Sequence, residues 1–298
     1  MKKILSIALV LALCLSALAA CGSSQAAEDI KSAAEDLQSA AADVAEAAEE
    51  VKDAAEGAVE DAAEEVQEAL SGSDLTTVNP GKLTVSTSPD FPPYEFLDDA
   101  GNTVGIEPEI LQLIADKIGL ELDIQEMDFD SALLAVQQGK SDVVMSGVTV
   151  TEDRKLVMDF TDSYTTACQV IIVPEGSAIT LDTLGEQNIG TQRGTTGYIY
   201  CSDDYGEDHV TGYDTYTLVI QALLNGQVDC VVMDDAVARE YVAANPGLTI
   251  LETEYALEDY AFGVTKGNTA LYEAINSALQ ELIADGTVQS IIDKYIAG

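Results

Sequence analysis

The feature that most constrains this fold is a helix–glycine–aspartate–strand unit that occurs twice in the chain. The two copies occupy residues 135–144 and 222–231 and share four of ten aligned positions. Each leads into a strand that ends in polar residues, with serine and glycine at 146–147 and two aspartates at 234–235. Ligands bind beyond the carboxyl ends of strands in open α/β sheets, so two similar lobes would each present such an edge. We therefore predict an α/β fold with two lobes.

Strands and helices alternate from residue 82 onward, as is typical of α/β folds. Apolar and β-branched runs predict strands at 83–87, 120–124, 142–145, 188–192 and 259–264. Helices are predicted at 108–118, 130–138, 215–224, 234–244, 268–284 and 285–296, and after the glycine-bounded turn at 194–197. Asp130 is predicted to cap the second of these helices.

The lobes have predicted limits. Lobe 1 is assigned residues 82–172 and 259–298, and lobe 2 is assigned residues 173–258. With the last section returning to lobe 1, the chain would cross between the lobes near 165–173 and near 258–264. Two crossings would form a hinge.

The first twenty residues have the pattern of a secretory signal, with two lysines, a largely apolar run and then small residues. Its end, Leu18-Ala-Ala-Cys21, is similar to a bacterial lipobox, in which Cys21 would become the lipid-modified first residue of the mature protein. Ordinary cleavage beside an incidental cysteine is the alternative, and the flexible residues 22–24 favour the lipoprotein. We expect an extracytoplasmic protein that is lipid-anchored to the outer face of the bacterial cell membrane.

Between the anchor and the folded body, residues 21–81 are predicted to form an acidic spacer. Residues 28–70 are rich in alanine and glutamate, which are strong helix formers. Apolar residues recur there every seven positions, which permits a coiled coil, but the opposing positions are mostly alanine. A solitary helix of about 65 Å, at 1.5 Å per residue, is favoured, and self-association stays open.

Composition argues against several functions. The formal net charge of −40 leaves no basic face for nucleic acid. The single histidine, His209, lies in an acidic loop, so a Ser-His-Asp or Cys-His site would depend on it alone. The sequence has no zinc spacing, Walker-type loop or dinucleotide-binding glycine motif, and we predict no cofactor and no metal. Cys168, Cys201 and Cys230 lie in the body, and the sequence does not choose a disulfide among them.

Arg154 lies in the first turn of a short predicted helix, where the helix dipole disfavours a cation. Its planar guanidinium can hold a carboxylate with two hydrogen bonds, which indicates an anionic ligand. Pairing with the neighbouring Glu152 or Asp153 on a solvated surface is the alternative. An arginine and backbone donors for a carboxylate, with an aspartate and a carbonyl for an ammonium, would together suit a free amino acid.

Residues 82–298 resemble the extracytoplasmic solute-binding proteins (family 3) of polar amino-acid ABC transporters. The matching stretches are 87–96, 105–110, 127–129, 146–154, 159–164, 190–197, 229–234 and 260–266. The resemblance implies a two-lobed periplasmic-binding-protein fold of the Venus flytrap type, here preceded by the long helix. It also implies a free amino-acid ligand, a membrane permease as partner and no catalytic residues.

The resemblance implies roles for single residues as well. Arg154 would clamp the ligand α-carboxylate, helped by the amides of Thr149 and Thr196. Asp234 and the Gly147 carbonyl would hold the ligand ammonium.

Three further positions concern the ligand side chain. Phe91 and Phe129 would flank it, while Ser88 stands where lysine-, arginine- and glutamine-binding relatives often have an aspartate. Glu95 or Asp90 could take the place of that missing acid, and the resemblance does not indicate which amino acid binds.

Two alternatives stay open. Some proteins with this scaffold are prephenate or arogenate dehydratases, and others are amino-acid sensor domains. No transmembrane or signalling segment accompanies the body, which disfavours the sensor.

Overall fold

The computed structural model describes residues 75–251 and 253–296, so the predicted signal, lipid site and spacer helix lie outside it. The strands are β1 (Lys82–Thr87), β2 (Asp90–Phe91), β3 (Glu95–Leu97), β4 (Thr103–Val104), β5 (Glu121–Glu126), β6 (Val143–Val144), β7 (Met158–Phe160), β8 (Thr165–Pro174), β9 (Ile189–Gln192), β10 (Val210–Tyr213), β11 (Cys230–Asp234), β12 (Leu248–Ile250), β13 (Ala256–Tyr260) and β14 (Gly263–Thr265). The α-helices are α1 (Ile106–Ile118), α2 (Phe129–Gln137), α3 (Glu152–Lys155), α4 (Thr196–Tyr205), α5 (Tyr216–Leu224), α6 (Asp235–Ala244), α7 (Thr269–Ala284) and α8 (Thr287–Tyr295). Within these described residues, no helix is long and apolar enough to cross a membrane.

The first lobe is built on a five-stranded sheet in the order β5-β1-β6-β14-β7. β1 is parallel to β5 and β6, and β14 is antiparallel to β6 and β7. Leu83 and Val143 pack in one core cluster with Ile110 of α1, and Val144 packs in another with Leu133 of α2. Helices therefore cover both faces of the sheet, which explains its runs of buried aliphatic residues.

A small antiparallel sheet, β2-β3-β4, is attached to the first lobe after β1. It pairs Asp90 with Phe96 and Phe91 with Glu95. This hairpin is important because it brings three residues of the site, Asp90, Phe91 and Glu95, next to one another.

The second lobe is built on a sheet in the order β10-β9-β11-β8-β12, with β13 also paired to β8. β9 is parallel to β10 and β11, whereas β8 runs antiparallel to β11, β12 and β13. Val231 and Val232 of β11 belong to different buried clusters, so this sheet also has apolar packing on both faces. The predicted α/β architecture with two sheets is confirmed.

The chain passes from the first sheet to the second at 161–164 and returns at 261–262. The two crossing segments are bonded to each other: the Thr161 amide donates to the Phe262 carbonyl (3.0 Å) and the Tyr164 amide to the Tyr260 carbonyl (3.0 Å). The Phe262 amide donates in turn to the Thr161 hydroxyl (3.1 Å). The lobes are thus joined by a paired connection.

Two local predictions are wrong. The apolar run at 259–264 is not one strand, because β13 ends at Tyr260 in the second sheet and β14 begins at Gly263 in the first. Asp128, not Asp130, caps helix α2, and its carboxylate accepts a hydrogen bond from the Ser131 amide at 3.0 Å. Strand β8 lies wholly in the second sheet and spans the predicted limit of lobe 1 at residue 172. The lobe limits stay a prediction, and the sheet order supports a first boundary near residue 164 better than one at 172.

The cysteines of the described body are free thiols. Cys201 of α4 and Cys230 of β11 are buried in one apolar cluster, whereas Cys168 of β8 is half-buried. Burial raises the pKa of Cys201 and of Cys230 to about 12, so both stay protonated near neutral pH.

Candidate functional site

Residues of both lobes line a small cavity, whose free space of about 10 Å³ is close to the room that one water molecule needs. All eight residues predicted for ligand binding lie on it: Ser88, Phe91, Phe129, Gly147, Thr149, Arg154, Thr196 and Asp234. Five more line it as well: Asp90, Glu95, Ser146, Gln192 and Thr195. The structure therefore has the lobes closed, and contacts with a ligand stay a prediction.

Arg154 is buried at one side of the cavity. Its helix α3 is capped by Thr151, whose hydroxyl accepts from the Arg154 amide at 3.2 Å. The guanidinium donates to the Thr149 carbonyl (2.9 Å) and to the Gly194 carbonyl of the second lobe (3.1 Å), and it lies 5.6 Å from the centre of the Phe129 ring.

The charge of Arg154 is not neutralised by its sequence neighbours. Glu152 pairs with Lys155 at 2.8 Å, and no ion pair among the described residues includes Arg154. Burial lowers the pKa of Arg154, while the charges of Glu258 and Asp234 act in the opposite direction. A buried cation whose donors meet only carbonyls is suited to an anionic ligand group.

Two acidic groups, Asp234 and Glu258, lie within electrostatic range of Arg154. Asp234, at the end of β11, accepts a hydrogen bond from the Tyr260 hydroxyl. Glu258, close to Asp234, accepts from the Thr149 hydroxyl (3.0 Å) and from the side-chain amide of Gln169 (3.1 Å). Burial and the nearby charge of Glu258 raise the pKa of Asp234 well above its usual range. A ligand cation at this position would offset the cost of burying both carboxylates.

Gly147 forms the floor beside Phe91. Its φ of 53° lies in the left-handed region, and a Cβ there would be 2.4 Å from the Phe91 ring. Its amide donates to both oxygens of the buried Glu107, at 3.2 Å each. Phe91 stacks on Tyr94 and on Tyr216 of the second lobe, with ring centres 5.6 and 5.8 Å apart. Glycine at 147 thus allows the aromatic wall to approach the backbone.

A second acid, Glu95, lies on the cavity beside Glu107. Glu95 is fully buried close to Glu107 and Ser146, and neither of its carboxyl oxygens makes a hydrogen bond of normal geometry with the described residues. Burial, together with the charge of Glu107, raises the pKa of Glu95 well above its usual range. A buried carboxyl group without partners is costly unless something binds it, so this position is suited to a donor from the ligand.

Sequence reasoning missed Ser146, Gln192 and Thr195 as cavity residues. Ser146 immediately precedes the predicted Gly147, and its hydroxyl accepts from the Ser88 amide at 3.0 Å. Gln192 and Thr195 flank the turn at 193–194, so a polar strand end before a glycine turn was the available signal.

Comparisons with known proteins agree with this geometry. The model of a family described as bacterial extracellular solute-binding proteins, family 3, matches residues 83–298. A probable histidine-binding protein of Neisseria gonorrhoeae is 35% identical over 227 residues, which cover 74% of this chain and 85% of that protein.

Two solved structures are similar along the same part of the chain. The arginine-bound form of truncated ArgBP from T. maritima has 41% sequence identity and a TM-score of 0.65, covering 68% of this chain and 96% of that one. An ancestral arginine-binding protein bound to glutamine has 39% identity and a TM-score of 0.69, covering 73% and 99%. These matches confirm the resemblance read from the sequence and the two-lobed fold that it implied.

Proposed function

Because the chain belongs to the bacterial extracellular solute-binding proteins of family 3, we propose that it binds a free amino acid with a cationic side chain and delivers it to the permease of an ABC importer. The proposal concerns the ligand class. The single observation that carries it is the buried carboxylate of Glu95, which lines the cavity without a hydrogen-bond partner in the described chain.

The main-chain groups of an amino acid are matched by charged groups of both signs that line the cavity. Arg154 would hold the ligand carboxylate, and the Thr149 and Thr196 amides would add donors. Asp234 would hold the ammonium, with the Gly147 carbonyl beside it. A zwitterion is favoured over a singly charged solute because the cavity buries groups of both signs.

The ligand side chain would extend between Phe91 and Phe129 toward Glu95. A guanidinium, ammonium or imidazolium group there would supply the donors that Glu95 lacks and a charge opposite to the Glu95–Glu107 pair. Arginine and histidine appear in the names of the similar proteins, which supports this class for the present chain. Glu95 would thereby compensate for Ser88, which stands where lysine-, arginine- and glutamine-binding relatives often have an aspartate.

Delivery would take place at the membrane surface. Lipid modification of Cys21 after removal of the signal would keep the binding protein next to its permease, and residues 28–70 would act as the spacer. The wild-type protein should then incorporate labelled fatty acid, and Cys21→Ala should abolish that incorporation. Absence of label in the wild type, or label retained in the variant, would contradict the anchor.

Function in transport is favoured over a dehydratase, since the matching family and the similar proteins are solute-binding proteins. The deciding experiment is a thermal-shift screen of the refolded protein against the twenty amino acids. A ligand at about a thousandfold above its dissociation constant adds about 4 kcal/mol to the unfolding free energy. For a body of this size the shift is roughly 8–16 °C. We expect arginine, lysine or histidine to raise the melting temperature by this amount. A shift with neutral amino acids alone would contradict the proposal of a cationic ligand.

A further inference from the structure

Asp90 of the first lobe is bonded mainly to the second lobe. One of its carboxylate oxygens accepts a hydrogen bond from the Tyr216 amide at 2.6 Å. The other accepts from the Ser88 hydroxyl of its own lobe at 3.0 Å and from the side-chain amide of Gln192 in the second lobe at 3.4 Å. Both oxygens are therefore occupied by protein donors.

The partner amide lies at the first residue of helix α5, where N–H groups have no acceptor inside the helix. A carboxylate at this end is also favoured by the helix dipole. The helix has its own cap, because the Thr215 hydroxyl accepts from the Leu218 amide at 3.2 Å. Asp90 is therefore not required to start the helix, and its bond serves to join the lobes.

The backbone of Asp90 is held from the same side. Its carbonyl accepts a hydrogen bond from the Tyr241 hydroxyl of helix α6 at 2.9 Å. Tyr241 does not line the ligand cavity. One residue of the first lobe thus contacts α5, α6 and the end of β9 in the second lobe.

Asp90 and Glu95 lie on the same hairpin but differ in the hydrogen bonds that their carboxyl groups accept from the protein. Glu95 lines the cavity and makes no hydrogen bond of normal geometry with the described residues, whereas the oxygens of Asp90 accept three. A ligand donor at Asp90 would therefore compete with donors that the protein already supplies. Glu95 is therefore better suited to contact the ligand, and Asp90 is better suited to connect the lobes.

We propose that Asp90 is a positioning residue that latches the closed lobes together and does not select the ligand; this rests on the proposed function as an amino-acid receptor. The apparent dissociation constant of any ligand that needs the closed form varies inversely with the fraction of closed molecules. Loss of the latch lowers that fraction for every ligand alike. Affinities for different amino acids should fall by one common factor.

The test compares Asp90→Asn and Tyr241→Phe with the wild-type protein by calorimetry, using arginine and glutamine as probes. Asp90→Asn keeps the size of the side chain and removes its charge, and we expect about tenfold weaker binding of both probes at an unchanged ratio. Tyr241→Phe should weaken both by a smaller common factor. Thr217→Val is the matched control, because it removes the other partner of the Tyr241 hydroxyl, at 3.2 Å, and leaves Asp90 untouched.

Selective loss of arginine binding in Asp90→Asn would make Asp90 a ligand contact and overturn the latch. Unchanged affinities in both variants would overturn it too. Single-molecule FRET between dyes on the two lobes, without ligand, gives an independent readout: we expect fewer closed molecules in Asp90→Asn than in the wild type, and equal populations would contradict the latch. If the wild type binds no amino acid, the proposed function fails while the FRET comparison still decides the latch.

Discussion

Glu95 and Glu107 lie side by side at the ligand cavity, and only Glu107 accepts hydrogen bonds of normal geometry from the described residues. Glu107 accepts hydrogen bonds from the Tyr164 hydroxyl and the Gly147 amide, while Glu95 has no partner among the described residues. Burial raises the pKa of both carboxyl groups. Of two neighbouring buried acids, one tends to keep its proton, and a ligand cation can take the place of that proton.

Glu95→Gln should change ligand preference. The cationic amino acid loses a hydrogen bond to a charged group, worth about 1.5–3 kcal/mol, so its affinity should fall roughly 10- to 150-fold. A neutral amino acid should bind as before or better. Calorimetry with arginine and glutamine checks this, with the exposed Glu121→Gln as the control that removes only a surface pair with Lys82. An equal loss for both ligands would show that Glu95 acts on the fold and not on selectivity.

Ligand-free stability should rise as the pH is lowered from 8 toward 5. Burial raises the pKa of Glu95, Glu107 and Asp234, so the folded protein binds protons more tightly than the unfolded chain does. The free energy of unfolding therefore increases as the pH falls toward the ordinary carboxyl values. The high negative charge of the protein acts in the same direction.

The Glu95→Gln variant separates these two causes. It removes one of the buried carboxyl groups whose pKa is raised and changes the net charge by a single unit. Melting temperatures between pH 5 and 8 should depend less on pH in this variant than in the wild type. Parallel curves would mean that overall charge repulsion accounts for the whole effect.

Arg154→Ala should abolish amino-acid binding, because the ligand carboxylate would be buried without its bidentate partner and opposing charge. Breaking a buried pair in this way costs about 3–5 kcal/mol, or a loss of more than a hundredfold. Calorimetry measures it, and the melting temperature of the ligand-free variant shows whether the fold survives without the bonds to Thr149 and Gly194. Arg239→Ala, on the exposed face of α6, is the control. Retained affinity would remove Arg154 from the site.

Gly147→Ala should impair both stability and binding. The left-handed φ alone costs about 1–2 kcal/mol for a side chain, and the new Cβ would also collide with the Phe91 ring. Gly119→Ala is matched, since Gly119 has a φ of 73° with nothing within 4 Å of an added Cβ. The loss of melting temperature in Gly147→Ala beyond that in Gly119→Ala measures the cost of the collision with Phe91. Identical losses would show that Phe91 moves aside freely.

The sequence predicted the cavity better than it predicted the contacts between lobes. The eight predicted residues meet on one cavity because most of them lie at strand ends or helix starts, which local patterns locate. The bonds of Asp90 to Tyr216 and Tyr241 join segments more than a hundred residues apart that belong to different lobes. No local periodicity encodes such a pair.

The division of residues 259–264 between two sheets could not be predicted either, because it also depends on contacts with distant segments. Tyr260, Phe262 and Val264 are all fully buried, so the apolar run is continuous although the sheet changes at 261–262. A buried position is apolar in the sequence whether it packs in the first sheet or in the second. Glu95 was noted only as a substitute acid, because its lack of partners depends on the positions of Glu107 and Phe91 around it.

The position of β14 determines the order in which the lobes can be completed as the chain emerges during export. All strands of the second sheet lie between residues 165 and 260, so that sheet is available as one continuous segment. The first sheet begins earlier but lacks the strand that joins β6 to β7 until residues 263–265 have emerged. A chain truncated after residue 262 would therefore keep every strand of the later lobe and leave the earlier one split.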